Sequence, residues 1–584
     1  MWLRALEMTA QIANHRTRVL PIVVEELATA LGEAPAILSD GELLTYRELA
    51  QMSNRYARWA LGQGLAKGEV VCLLMPNRGE YLAIWLGITR IGGVVSLLNT
   101  NLAGSSLAHC IDVVAPKHVI VAAELVGAFI KARPHIAGNV KVWLKGCGEH
   151  DLPRLDDAIA KVPGEKLADA ELRPLSIEDR ALCIYTSGTT GLPKAAHVNH
   201  YRLMYWSHWF AGLMDAQSTD RMYNCLPMYH SVGGVVATGA MLVTGGSVAI
   251  RERFSSRLFW DDIVEWDCTL FQYIGELCRY LLHSPPNPRE NEHRLRLCCG
   301  NGLRPDVWRK FEERFKIPQI LEFYASTEGN VSLFNCEGKP GAIGRIPPFL
   351  SHRFAAAVVK FDTRTESPVR NDDGSCIRCA ANEVGETLGK ISNDPSNYIA
   401  HFEGYTSEEQ TERKIIRDVF EKGDAWFRTG DLMRKDEQGY FYFVDRVGDT
   451  FRWKGENVAT SEVSEIITAF PGVTEATVYG VMIPGTDGRA GMAAVVFEHK
   501  PDLVAFREHL ITHLPNYARP LFLRVRSELD VTATFKQLKA DLVREGYDPD
   551  AVTDAVYFND IEHQLFVQVD RALYGRIRSG QIRL

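Results

Sequence analysis

A chain of 584 residues exceeds what one hydrophobic core usually supports, so at least two domains are expected, and an apolar content of 46% is ample to pack them. The net charge of −8 argues against a nucleic-acid footprint, because an acidic surface repels phosphodiester backbones; a phosphate ligand must be met by local charge. Twelve cysteines without paired spacing fit a reducing compartment and free thiols better than a disulfide framework.

From the start of the chain, Met1 to Asn14 carries Arg4 and Glu7 among its apolar residues. No uninterrupted apolar segment of an export signal forms, and a cytoplasmic location is expected. Tyr46 to Leu61 is predicted helical, while Glu69 to Leu74, Ala115 to Ala122 and Ser247 to Ile250 are short apolar runs of strand character. Strands alternating with helices predict an α/β fold with mainly parallel sheets. Ala181 to Tyr185 reads as a short buried strand leading into Thr186-Ser187-Gly188-Thr189-Thr190-Gly191-Leu192-Pro193-Lys194. Gly188, Gly191 and Pro193 are expected to break regular structure there, and the hydroxyls and exposed N–H groups are the donors a polyphosphate needs. Lys194 does not directly follow the second glycine, so the pattern is not a Walker loop and a P-loop ATPase or kinase is disfavoured. Taken alone, the stretch is as readily a solvated turn.

Ser231 to Ile250 is uncharged and mimics a membrane span, but Gly233, Gly234, Gly239, Gly245 and Gly246 dilute its hydrophobicity, so a buried helix is predicted instead. Beyond it, Arg251, Arg253, Phe254, Arg257, Phe259 and Trp260 form a candidate peripheral membrane patch, with a solvated face as the plain alternative. Pro285 to Pro288 is an exposed loop and Asn371 to Gly374 a turn. Cys376-Ile377-Arg378-Cys379 lacks a second ligand pair, which disfavours a metal site. Tyr440 to Val444 is a predicted strand, Asp445 to Asp449 a boundary, and Ser461 to Glu465 opens an amphipathic helix with a capping-type start.

The nonapeptide resembles the signature of the adenylate-forming superfamily of acyl-CoA synthetases, luciferases and peptide-synthetase adenylation domains. Its other motifs recur in order: Leu44 to Leu49, Pro227-Met228-Tyr229-His230, Phe323-Tyr324-Ala325-Ser326-Thr327-Glu328, Arg428-Thr429-Gly430-Asp431, Asp445-Arg446 and Thr534-Phe535-Lys536. Tyr185 to Ala196, Tyr273 to Leu281 and Asp445 to Asn457 are similar to the fatty acid transport protein and very-long-chain acyl-CoA synthetase branch. The resemblance implies an α/β fold with a large N-terminal AMP- and acyl-binding domain of several mixed or parallel sheets and helices, residues 1–447. A small mobile α+β C-terminal domain, residues 448–584, follows it and carries the catalytic lysine and a branch-type tail. Gly448 stands at the hinge, where many relatives carry Asp or Lys.

Attack of a carboxylate on the α-phosphate of ATP gathers negative charge, so such a site needs cations and directed donors rather than a general base. By resemblance, Thr186, Ser187, Gly188, Thr189, Thr190, Gly191 and Lys194 hold the β- and γ-phosphates, with Ala195 standing where many relatives have glycine. Thr327 contacts the α-phosphate and Glu328 binds Mg2+, for which one carboxylate beside phosphate oxygens is sufficient. Tyr324, next to Phe323 in the nucleotide motif, stacks on adenine, and Gly300-Asn301-Gly302 form the opposite wall. Asp431 accepts from the ribose hydroxyls and Arg446 holds ribose and phosphate. Lys536 bridges carboxylate and phosphate in the first half-reaction, and His230 borders the acyl and thiol channels. In the second, the small domain rotates and presents Trp453, Lys454 and Gly455 to coenzyme A. A surface lysine, a solvated acidic turn, a structural salt bridge and a core histidine are the plain alternatives.

The branch narrows the acid to a lipid-like one. Each buried methylene stabilises by roughly 0.8 kcal/mol, so pocket depth sets the favoured chain length. The expected activity is that of an acid–thiol ligase for a long- or very-long-chain fatty acid, using ATP, Mg2+ and coenzyme A. A bile-acid or steroid-acid ligase, an uptake protein working by coupled acylation, and a ligase that hands its adenylate to a carrier protein are the rivals.

Overall fold

A computed structural model describes residues 1–148, 150–188, 191–392, 394, 400–454, 456–486, 488–531 and 537–582. They form two compact units. The first gathers Met1–Ala355, Gly389–Ile416 and Ala425–Phe427; the second gathers Ala356–Leu388, Arg417–Asp424 and Arg428–Leu584.

In the first unit one sheet runs in the order Lys141–Lys145, His118–Ala122, Val70–Leu74, Val94–Leu97, Arg180–Gly188 and Gly191–Asn199. Its strands are parallel except for the last pair, an antiparallel hairpin at the sheet edge. A second parallel series runs Pro35–Ser39, Ser247–Ile250, Arg221–Asn224, Leu270–Ile274, Leu297–Asn301 and Ile320–Ala325. Strands buried on both faces read as continuous apolar runs, and Val71 to Leu74 are wholly buried accordingly. The predicted early helix spans Tyr46–Gly62, started by a capping box in which Thr45 N–H donates to Glu48 at 2.8 Å and Glu48 N–H donates to Thr45 Oγ1 at 3.2 Å.

Two sequence expectations fail here for packing reasons. Ser231 to Ile250 is not one helix: a π-helical turn over Val232–Val236 passes into the helix Ala237–Leu242, and Ser247–Ile250 is a strand. A Cβ on Gly234 would lie 2.0 Å from the Met228 carbonyl oxygen, so the glycines serve close backbone contact, and Gly245 turns the chain at φ +80°. Among the described residues, no helix is long and apolar enough to cross a membrane. Two of the three aromatic members of the candidate membrane patch are core residues: Phe259 and Trp260 are buried, Phe254 is half-buried, and Arg251 pairs with Asp262 and Asp40.

The second unit holds the sheet Val473–Val481, Ala490–Phe497, Phe522–Arg526, Ala555–Asp560 and Leu565–Gln568, whose core draws on residues from Phe451 to Ile577. Its helix Thr460–Thr468 begins without a side-chain cap from its own N-cap residue, Ala459. The buried Asp445 carboxylate, fifteen residues earlier, accepts the Thr460 N–H at 2.6 Å instead. The capping group predicted at Ser461 is therefore supplied from a distance.

Candidate active site

Strand pairing continues into the motif that was expected to break it. Tyr185 lies opposite Ala195, Thr186 opposite Lys194 and Gly188 opposite Gly191, with one slip between Thr186 and Gly188. Thr189 and Thr190 lie outside the described residues, as does the side chain of Ser187. Pro193 is tolerated because the strand is at the sheet edge, where a missing N–H breaks no ladder bond; its carbonyl accepts from His109 Nε2 at 3.1 Å. A distant segment covers that edge: His197 N–H donates to Gly404 O at 3.3 Å and Thr406 N–H to Ala195 O at 3.1 Å, with Ala196 opposite Tyr405.

Tyr405 is thereby fixed among the expected phosphate and metal residues. Its hydroxyl donates to Glu328 Oε1 at 2.6 Å and shares a hydrogen bond with Thr186, while Lys194 Nζ stands 5.5 Å from the centre of its ring. Burial, and then the Glu328 charge, hold the phenol well above its usual range, so it stays a donor. Burial depresses the Lys194 ammonium; Lys414 and Arg413 add to that, and Glu328 opposes it. A site that crowds cations around one carboxylate is prepared for a polyanion.

Glu328 and Thr327 follow the strand Ile320–Ala325 and are held from behind. Buried Arg202 donates to Thr327 O at 2.8 Å and to His401 O at 3.2 Å. Its helix, His200–Met214, is capped by Asn199, which accepts the Arg202 N–H at 2.9 Å. The Ser231 and Thr327 hydroxyls lie 3.1 Å apart, which places the Pro227-to-His230 motif beside the nucleotide motif. His230 is half-buried, its ring centred 4.7 Å from that of Tyr229.

The proposed adenine wall comes from neighbouring strands. Gly300 sits in register between Tyr273 and Glu322, and Asn301 ends its strand half-buried. Gly302 is exposed with φ +77°, a turn that favours glycine. Tyr324 is half-buried at the end of the next strand. Phe323 points into the core, its ring centred 4.7 Å from that of Phe210, so toward a nucleotide it offers backbone only.

On the second unit, Asp431 and Arg446 are cross-strand partners with Nε and Oδ1 3.7 Å apart. Gly448 has φ +94°, and a Cβ there would touch nothing within 4 Å. The segment around Gly448 is tied to later residues: Lys539 Nζ donates to Asp449 Oδ2 at 3.2 Å and to Thr460 Oγ1 at 2.9 Å. Trp453 belongs to the core at 5% exposure, Lys454 is exposed, and both border an open cavity of about 660 Å³ also lined by Pro484, Thr486, Ile577 and Arg578. Gly455 and Lys536 lie outside the described residues. Tyr405, Arg202 and Ser231 carry no local motif of their own; only the fold reveals them.

A model of the AMP-binding enzyme family matches residues 24–374, and one of the AMP-binding enzyme C-terminal domain matches residues 462–536. Long-chain fatty acid transport protein 1 of Mus musculus is 39% identical across 99% of this chain and 91% of its own length. An anthranilate CoA ligase solved with anthranoyl-AMP is similar at a TM-score of 0.76 and 20% identity, covering 89% of this chain and 96% of its own. A Mycobacterium tuberculosis fatty acyl CoA synthetase is similar at a TM-score of 0.62 and 24% identity, covering 90% and 98%. These structural likenesses show a shared fold, and the sequence matches show descent. The chain belongs to the AMP-binding, adenylate-forming enzyme family and, within it, to the branch of the fatty acid transport proteins.

Proposed function

We propose that the protein is an ATP-dependent fatty acyl-CoA synthetase that joins a long- or very-long-chain fatty acid to coenzyme A. A carboxylate oxygen attacks the α-phosphorus and expels diphosphate; the thiol sulfur then attacks the acyl carbon of the adenylate and expels AMP. The observation that carries this reading is the cluster of Lys194, Thr186, Tyr405 and Glu328, which joins cations, hydroxyl donors and one carboxylate at the base of the phosphate hairpin.

Lys194 and the hairpin donors hold the terminal phosphates, and Thr327, whose backbone Arg202 fixes, addresses the α-phosphate. Glu328, a single half-buried carboxylate beside hydroxyl groups, is a donor set that fits Mg2+, which takes its other ligands from phosphate oxygens and water. The metal would supply neutralisation of phosphate charge. Tyr324 and the turn 300–302 hold adenine, while Asp431 and Arg446 hold ribose. Lys536 serves the first half-reaction. Residues 448–584 then turn about Gly448 and bring Trp453, Lys454 and Gly455 to coenzyme A, and His230 borders the acyl and thiol paths. The identity to long-chain fatty acid transport proteins supports the choice of acid.

The deciding experiment offers acids from acetate to very long chains, with one bile acid, and measures thioester and AMP. Rising kcat/KM through the long chains is expected. Preference for acetate or the bile acid would overturn the substrate class, and adenylate without thioester would overturn the ligase reading. Fatty acid uptake, if coupled, follows from trapping the thioester.

A further inference from the structure

Tyr273, Gly300 and Glu322 stand in one row on three adjacent parallel strands. Side chains in register on neighbouring strands share a face, so Tyr273 and Glu322 flank a residue that has none. The gap is filled: a Cβ on Gly300 would lie 2.3 Å from the Tyr273 carbonyl oxygen and 2.5 Å from its ring. Across Gly300, the Tyr273 hydroxyl meets Glu322 Oε2 at 2.5 Å. The other oxygen, Oε1, accepts the Leu303 N–H at 3.1 Å, and the Gly302 N–H also bonds to the carboxyl group. From a third side Gly275 abuts the turn, where a Cβ would lie 1.9 Å from the Gly302 carbonyl oxygen.

We propose that Glu322 is a positioning residue of the ATP site, braced by Tyr273 and holding the Gly302 and Leu303 amides so that the turn 300–302 keeps the shape that receives adenine. This rests on the reading of that turn as the nucleotide wall. The brace requires a neutral carboxyl group. Tyr273, Cys278 and Cys299 are the titratable groups on which the Glu322 charge acts, from the strand Leu270–Ile274, the helix Gly275–His283 and the strand Leu297–Asn301, and none is a cation. At 1% exposure, burial pushes the carboxyl up to about 8, against the hydrogen bonds from Tyr273, Leu303 and Gly302 that lower it. Loss of the proton sets a negative charge in a dry space, and the charge draws in the Tyr273, Leu303 and Gly302 donors that already bond to it, so the turn shifts. The branch stretch that begins at Tyr273 thus supports the nucleotide site from within.

The test measures KM for ATP and for fatty acid from pH 6.5 to 9.5 in the full enzyme, in Glu322→Gln and in Asn301→Ala. The wild-type KM for ATP should rise severalfold through about pH 8 while that for fatty acid stays level, and Glu322→Gln, permanently neutral, should lose the rise. A wild-type profile without the rise, or a Gln variant that keeps it, overturns the proposal. Asn301→Ala separates the two readings: an unchanged KM for ATP sinks the nucleotide wall, whereas a raised KM with the alkaline rise intact in Glu322→Gln sinks the role of Glu322 alone. If the Gln variant does not fold, calorimetric titration of the wild type with ATP in buffers of different ionisation enthalpy decides, because a brace that must be neutral takes up a proton on ATP binding above pH 8; no uptake overturns the proposal.

Discussion

Two glutamates six residues apart in the chain serve the two ends of one proposed nucleotide site, and their surroundings are opposite. Glu322 is sealed beside a tyrosine and backbone amides, and among the described residues no cation acts on it. Glu328 is half-buried, bonded to Tyr405 and close enough to Lys194 to act on its charge. The first environment turns a carboxyl group into a neutral scaffold; the second sets one beside a cation. Residue type does not decide role, and the dielectric and the partners do.

The charged end should break most severely. Glu328→Gln is expected to lower kcat about 100-fold and to move the magnesium titration to higher concentration, since an amide oxygen is a poorer ligand. A normal magnesium titration with normal turnover would exclude it as the ligand. Tyr405→Phe removes one hydroxyl that orients Glu328 and should cost about tenfold in apparent magnesium affinity, on the scale of groups that orient metal ligands. Magnesium-dependent ATP binding, followed by calorimetry, checks this without turnover; equal affinity in both proteins would make Tyr405 a packing residue.

The neutral end should barely alter turnover at pH 7 and should instead appear in stability. Glu322 is raised in the folded state from 4.5 to about 8, so its contribution is fully present below pH 4.5 and is lost as pH rises to about 8. Within that window wild-type stability should fall by about 1.4 kcal/mol per pH unit relative to Glu322→Gln. Denaturant melts of both proteins at several pH values read the difference, and parallel curves would place the charge balance elsewhere.

Legibility in the sequence follows the range of the interactions. The helix Tyr46–Gly62 was readable because its capping box lies within four residues, and the buried strand 181–185 because apolar runs need no partner to be recognised. Continued pairing through Gly188, Gly191 and Pro193 was not, since edge position is a property of the sheet. Tyr405 reaches Thr186, Lys194 and Glu328 only by lying along an edge strand formed some 200 residues earlier in the chain. Asp445 caps a helix that local rules assign to Ser461. Phe259 and Trp260 suggest a surface patch until the fold turns them inward. Glu322 adjoins a recognised motif, yet its meaning needs the three-strand register.

The cover over the strand Gly191–Asn199 also has a history in time. That edge cannot be closed until Gly404 to Thr406 have been synthesised. At translation speeds of roughly 5–20 residues per second, the nascent chain spends about 10–40 s with unpaired N–H and C=O groups along the hairpin. An open edge of this kind is a template for pairing with another chain. This hairpin is therefore a part of the emerging polypeptide that a chaperone would shield, and fragments ending before residue 404 should aggregate through it.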